Sequence, residues 1–288
     1  MREKKGTVKQ IILNADDFGR HTRINCAVEK GLRDGVLRSA TLMPGGVAFA
    51  EAVALAKAYP ALGVGIHLTL VNGFPVLPPA EIPSLVTEEG VFVEDHGAFT
   101  RRLLRGEVRL DEVRSELSAQ LCRLEGAGLH PTHADSHQHM HVLPGVIDTV
   151  LDLCVKARIP AMRVPKAPLL AGAFGGIGQL IGRAGLAALA WRAGKKARRR
   201  GIAAPDHFAG IVAGEAVDTD ALLKIAQGLG EGTTEVMLHP GTDNARLHRD
   251  CRWGHDFEAE LAAVCAASVR ETLAAADAKV VNFRALTS

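Results

Sequence analysis

Along the chain, short runs of apolar, strand-prone residues alternate with stretches whose apolar positions recur at helical spacing. The first run is QIILNA (10–15). Ile24, Ala27, Val28, Gly31 and Leu32 then follow at helical spacing, Gly35 stops that helix, and VLRSATLM (36–43) returns to strand character. The alternation predicts a helix over 47–59, a strand over LGVGIHL (62–68), a helix over 110–125 and a strand over THAD (132–135). Further strands are expected at AMRV (161–164), HFAGIV (207–212), TEVML (234–238) and KVVNF (279–283). Strands that alternate with helices make an α/β protein with a parallel sheet and crossover helices, and their number favours a barrel of seven or eight strands. An open doubly wound sheet is the alternative, but no G-x-G-x-x-G follows the first strand.

Residues 71–99 carry several prolines and no sustained period, so they are expected to form an insertion loop after the third strand, where such loops overlie active sites. The length of 288 residues suits a single barrel domain over 1–288, and 47% hydrophobic with 23% charged residues allows a large core. A formal net charge of +2 is too close to zero to argue for nucleic acid as a partner, and none is expected. The start of the chain lacks the apolar core of a secretory signal, which leads us to expect a cytoplasmic protein. Five cysteines lie far apart with no CxxC pair, as for reduced thiols without a disulfide frame.

The unusual polar residues fall at the C-terminal ends of the expected strands: Asp16 and Asp17, His67, the run THADSHQHMH (132–141), Arg163 and His239. In a barrel those ends converge on one face, so a single site accounts for all of them. Each alone has a plainer reading. Paired aspartates after a strand often cap the next helix, and an isolated histidine such as His67 is more often a hydrogen-bonded structural residue than a ligand. The run is the stronger signal, because His133, His137, His139 and His141 lie within nine residues. Pro131 and Pro144 bracket it, so 132–135 reads as strand and 136–143 as a loop in which alternate histidines share a direction if it is extended.

A catalytic ion usually takes three protein ligands and keeps one position open. An ion held by Asp17 and His67 therefore cannot take all four histidines, and those left over would orient ligands or touch substrate. A divalent cation held by a carboxylate and two imidazoles polarises an amide carbonyl and acidifies water. Asp16 is then placed to act as base, and His239 to protonate the leaving amine or to steady the oxyanion.

NADDFG (14–19), GIHLTL (65–70), PTHADSHQHMH (131–141) and LHPG (238–241) together resemble, in order, the motifs of the YdjC-like family of carbohydrate deacetylases, which includes chitooligosaccharide deacetylase. The resemblance implies a distorted TIM-like (β/α) barrel, one divalent metal ion and hydrolysis of the acetamide of N-acetylglucosamine-type sugars. Carried over motif by motif, the metal ligands fall on Asp17, His67 and His137, while the catalytic roles of Asp16 and His239 remain those read from the chemistry. His133, Asp135, His139, His141 and Arg163 are left as substrate-binding or ligand-orienting residues. An Asp-His-His set suits zinc, cobalt or nickel, while the family also admits magnesium.

Within that family the chain is most similar to the hopanoid-biosynthesis-associated branch, which implies a glycosylated hopanoid lipid as substrate. The segment 165–201 bears on this, since a Gly- and Ala-rich apolar stretch leads into Trp191 and six basic residues: Arg192, Lys195, Lys196, Arg198, Arg199 and Arg200. Such a segment suits peripheral contact with an anionic membrane, a homodimer surface, or simply a barrel helix with a solvated basic end. Its glycines argue against a spanning helix.

Two other functions compete. An amidohydrolase or phosphoesterase on a similar barrel would place H-x-H on the first strand or a second carboxylate-rich metal set in the site, and neither is evident. A non-catalytic sugar- or lipid-binding protein would not need Asp16 and His239.

Overall fold

The first apolar run becomes the centre of the sheet. In the computed structural model, which describes residues 8–166, 177–211 and 216–287, β1 (Lys9–Phe18) is buried from Ile11 to its end. A strand covered on both faces needs an unbroken apolar run, and IIL followed by small or functional residues supplies it. Around it lie β2 (Ser39–Leu42), β3 (Gly63–Leu68), β4 (Ala134–Ser136), β5 (His207–Ala209), β6 (Gly232–Leu238) and β7 (Ala278–Val281).

Every pairing is parallel, in the order β4-β3-β2-β1-β6-β5. β6 pairs with β1 over Lys9–Ala15. The other edge of β1 is shared, by β7 over Lys9–Ile12 and by β2 over Asn14–Phe18. The strand expected at 161–164 is reduced to two isolated parallel bridges, Ala134 to Met162 and Ala161 to Ala203. Pro160 and Pro165 flank this segment, and proline has no N–H to extend a ladder. These bridges still carry the sheet from β4 round towards β5, so the sheet curls into a distorted TIM-like barrel.

The helices among the described residues are α1 (Thr22–Arg33), α2 (Phe49–Ala58), α3 (His96–Leu104), α4 (Leu110–Gly126), α5 (Val146–Lys156), α6 (Ile177–Arg199), α7 (Thr219–Gln227), α8 (Asn244–Cys251), α9 (Phe257–Cys265) and α10 (Ala267–Ala275). No helix among the described residues is long and apolar enough to cross a membrane. Residues 167–176 of the apolar segment, and Val212 at the end of the expected strand 207–212, lie outside the described residues.

The segment 71–99 has little regular structure, yet it is fixed in place. α4 turns a buried polar stripe at i, i+4 and i+8, formed by Glu112, Glu116 and Gln120, towards it and towards Thr69 just before it. Glu112 accepts from Ser84 N, Glu116 from Val76 N and Leu77 N, and Gln120 both accepts from Thr69 N and donates to Thr69 O. Buried backbone groups need such partners, so these side chains replace the missing ladder.

Candidate metal centre

Parallel register brings the functional side chains together. His67 of β3 pairs directly with Asp135 of β4, and β1 ends two strands away with Asp16 and Asp17. Asp17 adopts φ +61°, a left-handed conformation at the strand end that is uncommon outside glycine. This turns consecutive aspartates to different partners.

Asp17, His67 and His137 each present a ligand atom, and the three atoms lie within 4.8 Å of one another. All three residues are buried. Asp17 Oδ1 is 2.9 Å from His137 Nδ1 and 3.4 Å from His67 Nε2. Despite these short distances, neither Asp17 Oδ1 nor His67 Nε2 makes a hydrogen bond of acceptable geometry, although both are buried. Unpaired buried polar atoms are costly, and a divalent cation would satisfy both at once. The donor set therefore fits the cation that the family resemblance implies.

The supporting bonds fix the direction of these atoms. His67 Nδ1 donates to Asp135 Oδ1 at 2.7 Å, which leaves the Nε2 lone pair for the centre. Burial lowers the pKa of His67, but Asp135, Asp17 and Asp16 outweigh it and push the group up to about 10. Those carboxylates call for positive charge at this position, whether as a proton or as a cation. Burial raises the pKa of Asp17, yet His137 and Arg20 bring it well below the usual carboxylate range. Arg20 Nη1 donates to Asp17 Oδ2 at 2.9 Å and lies 3.4 Å from His137 Nε2, while Arg20 Nη2 donates to Asn72 Oδ1 at 2.5 Å.

Asp16 points into a different network. Arg163 is fully buried and donates to both Asp16 oxygens at 2.6 Å, to Glu235 Oε1 at 2.6 Å, and approaches Asp135 Oδ2 at 2.9 Å. One guanidinium thus serves three carboxylates, which together hold it well above its ordinary pKa despite burial. At this depth Arg163 orients Asp16 and Asp135. Asn14 Nδ2 adds a 2.8 Å bond to Asp16 Oδ1.

His239, just beyond β6, places Nε2 4.0 Å from Asp16 Oδ2. Burial lowers its pKa against the opposing pull of Asp16 and Glu260. Glu260 accepts a short hydrogen bond from the His239 backbone N and a 2.9 Å bond from Val217 N, and lies 3.2 Å from His255 Nε2. Trp253 stacks on His255 at 4.2 Å and meets His239 edge-on at 4.9 Å.

The histidine run does not stay extended. Residues 137–142 form tight 3₁₀ turns in which Gln138 and His139 adopt φ +51° and +60°, so alternate side chains do not share a direction. His137 alone of the four joins Asp17 and His67. His133 turns into the core, stacked on Phe283 at 3.5 Å and bonded to Thr132 Oγ1 at 2.9 Å. A Cβ at Gly65 would strike the His133 ring, so glycine is required there. Burial takes the His133 pKa down to about 3. His141 bonds Ser136 Oγ at 2.7 Å and Arg163 O at 3.1 Å, bracing the strand end that carries Arg163. His139 is partly exposed, edge-on to Phe208, with Nδ1 unpartnered.

Sequence reasoning missed Arg20, Asn72, Glu235, Trp253, His255 and Glu260. Arg20 directly follows NADDFG and could have been read as part of that motif. Glu235 sits within a strand, where a buried acid is itself a signal. The other four carry no local pattern.

The model of the family described as YdjC-like protein matches residues 10–275. A carbohydrate deacetylase of Geobacillus stearothermophilus is 31% identical over 278 residues, covering 95% of this chain and 96% of that protein. A carbohydrate deacetylase of Brevibacillus brevis is 42% identical over 156 residues, covering 52% of this chain and 58% of that one. Among solved structures, one from Enterococcus faecalis V583, named as a candidate cellobiose-phosphate cleavage protein, is similar with a TM-score of 0.73. Its sequence identity is 25%, with 97% of this chain and 99% of that chain covered.

Proposed function

This chain belongs to the YdjC-like family, and from that premise we propose that it is a metal-dependent hydrolase removing the N-acetyl group from an N-acetylglucosamine-type sugar. The observation that carries this reading is the pair of buried, unpartnered atoms, Asp17 Oδ1 and His67 Nε2, that converge with His137. The relatives named carbohydrate deacetylase support the substrate class.

Asp17, His67 and His137 would hold the cation, zinc by ligand type or magnesium by family habit. When bound, that ion supplies polarisation of the acetamide carbonyl and acidification of water. Asp135 keeps the His67 lone pair aimed inward through the 2.7 Å bond. Asp16, clamped by Arg163 and Asn14, takes the proton released as water adds to the carbonyl carbon. His239, 4.0 Å from Asp16, receives that proton from Asp16 and passes it to the amine as the C–N bond breaks, leaving acetate and a free amino sugar. His139, with its unpartnered nitrogen and partial exposure, is the histidine of the run best placed to touch substrate.

A second reading of the acceptor is a glycosylated hopanoid lipid, with peripheral membrane contact through 165–201 from the cytoplasmic side. It is favoured by Trp191, 56% exposed on α6, with Lys195 Nζ 3.7 Å above its ring. Lys196 and Arg200 are tied to Asp148 and Asp152 on α5, so they serve packing. A homodimer through the same face is the other use of that tryptophan.

The test is acetate release by metal-loaded protein, with and without chelator, from N-acetylglucosamine oligomers and from an N-acetylglucosaminyl hopanoid. Chelator-sensitive release is expected. Metal-loaded protein that releases acetate from neither would overturn the proposal.

A further inference from the structure

One cation beside the metal centre has no part in the chemistry proposed so far. Arg20 keeps only 12% of its side chain exposed. Burial pulls its pKa down, yet Asp17 raises it above the ordinary value, so the group stays charged. A guanidinium next to a cation cradle repels the ion that the cradle would hold. Its presence there needs a reason in what it does to the ligands.

Asp17 is the one carboxylate among the three candidate ligands, and its two oxygens have different neighbours. Oδ1 lies 2.9 Å from His137 Nδ1 and 3.4 Å from His67 Nε2. Oδ2 accepts from Arg20 Nη1 at 2.9 Å. A free carboxylate can give a hard cation both of its oxygens. Asp17 has a single oxygen to give, because a charged donor holds the other. The same Nη1 lies 3.4 Å from His137 Nε2, the second ring nitrogen of that ligand. Positive charge therefore stands beside two of the three ligands.

The guanidinium is itself fixed at both ends. Arg20 N donates to Asp17 O at 2.9 Å, which closes the turn at the end of β1. Gly19 N donates to Asn25 Oδ1 at 2.8 Å and Ala48 N donates to Gly19 O at 2.9 Å, so this turn is bound to α1 and to the N-cap of α2. At the other end, Arg20 Nη2 donates to Asn72 Oδ1 at 2.5 Å, and Asn72 N donates to Val93 O at 2.8 Å. The donor to Oδ2 is in place before any ion arrives.

Ions differ in what this arrangement takes from them. Magnesium is held by oxygen ligands and by charge, and here it would meet one carboxylate oxygen, two imidazoles and a neighbouring cation. Zinc bonds well to imidazole and needs only three protein ligands beside an open position. We propose that Arg20 determines the metal specificity of the centre: by occupying Asp17 Oδ2 it limits the site to one carboxylate oxygen and so selects an imidazole-preferring transition ion such as zinc over magnesium. The inference rests on the metal-dependent reading of Asp17, His67 and His137 and is independent of the sugar that the protein acts on.

The experiment measures the dissociation constants of zinc and of magnesium for metal-stripped parent protein, Arg20→Met, Arg20→Lys and Asn72→Gly, each by competition with an indicator dye suited to the ion. The parent is expected to prefer zinc. Arg20→Met frees Oδ2 and should gain more affinity for magnesium than for zinc, so that the preference falls by about tenfold or more. Arg20→Lys can still donate to Oδ2 and should keep the parental ratio. Asn72→Gly loosens the guanidinium at a residue whose φ of +46° suits glycine, and should shift the ratio in the same direction as Arg20→Met but by less. It also decides the matter if Arg20→Met does not fold. A parental ratio in Arg20→Met and Asn72→Gly, or in whichever of them keeps a parental melting curve, would overturn the inference, as would a parent that holds magnesium as tightly as zinc. A parent that binds neither ion would remove the metal-dependent reading itself, whereas zinc binding with an unchanged ratio removes the role of Arg20 alone.

Discussion

Among the described residues, two groups that pair one carboxylate with two histidines have donors close enough to hold a metal: Asp17 with His67 and His137, and Glu260 with His239 and His255. They differ in how their lone pairs are used. Both oxygens of Glu260 already accept backbone N–H groups, from Val217 and His239. Asp17 gives Oδ2 to Arg20 and leaves Oδ1 buried without a donor, facing a His67 nitrogen in the same condition. Proximity of ligand types is therefore a poor criterion by itself. An acid whose oxygens are committed to the backbone is a clamp, and Glu260 clamps the loop that carries His239. An acid with an oxygen left unpaired beside an unpaired imidazole is a cation cradle.

The strongest way to break this comparison is to neutralise each acid in turn. Asp17→Ala should lose bound metal and lower acetate release by at least about a thousandfold, since metal-assisted chemistry fails with its ligand. Glu260→Gln should keep full metal content but lose about 1–3 kcal/mol of stability, because an amide NH₂ then faces a backbone donor. Metal analysis of the two purified variants beside their melting curves decides the matter. A Glu260→Gln protein that lost metal while melting normally would make the second group a cation site after all.

A finer break concerns Asp135, which touches His67 and Arg163 but contributes nothing to the Asp17 cradle directly. If its role is to aim His67 Nε2, Asp135→Asn should weaken metal affinity by about 10–100-fold. Competition against a chromophoric chelator reads that change. An affinity equal to that of the parent would mean that His67 is oriented by packing alone.

The strand ends that carry the site were legible because parallel strands buried on both faces have apolar runs that stop where the functional residues begin. Asp16, Asp17, His67 and His239 are all found in that way. The histidine run was legible as a cluster and illegible in detail. Side-chain direction there depends on Gln138 and His139 adopting left-handed φ, and neither residue type demands it. His133 could not be separated from its neighbours by spacing, because what removes it from the site is a ring of Phe283, some 150 positions away in sequence. The segment 71–99 looked like an unsupported loop because its support comes from Glu112 and Glu116 on the buried face of α4, with Gln120 fixing Thr69 just before it. A buried polar stripe is the opposite of what amphipathic periodicity detects. Arg163 was visible as an unusual residue at a strand end, but only the three acids around it establish that it orients them.

Those three acids supply the smallest effect, and a third way for a buried carboxylate to be satisfied. Glu235 gives Oε1 to Arg163, while its Oε2 is buried with no partner at all. Unlike Glu260 it has no backbone donor there, and unlike Asp17 it has no facing imidazole. A proton is the remaining solution. Burial, with Asp135 and Asp16 nearby, outweighs Arg163 and raises the Glu235 pKa to about 7 from an ordinary 4.5. The folded protein then keeps a proton between pH 4.5 and 7 that the unfolded chain has released. The stabilisation is fully present below the lower value and is lost as pH rises through about 7. Glu235→Gln, which cannot ionise and can still offer its carbonyl to Arg163, should flatten that part of the profile. Urea midpoints measured from pH 5 to 8 on parent and variant would show it. Parallel profiles would mean that Glu235 is ionised throughout, and that one guanidinium is enough for three buried charges.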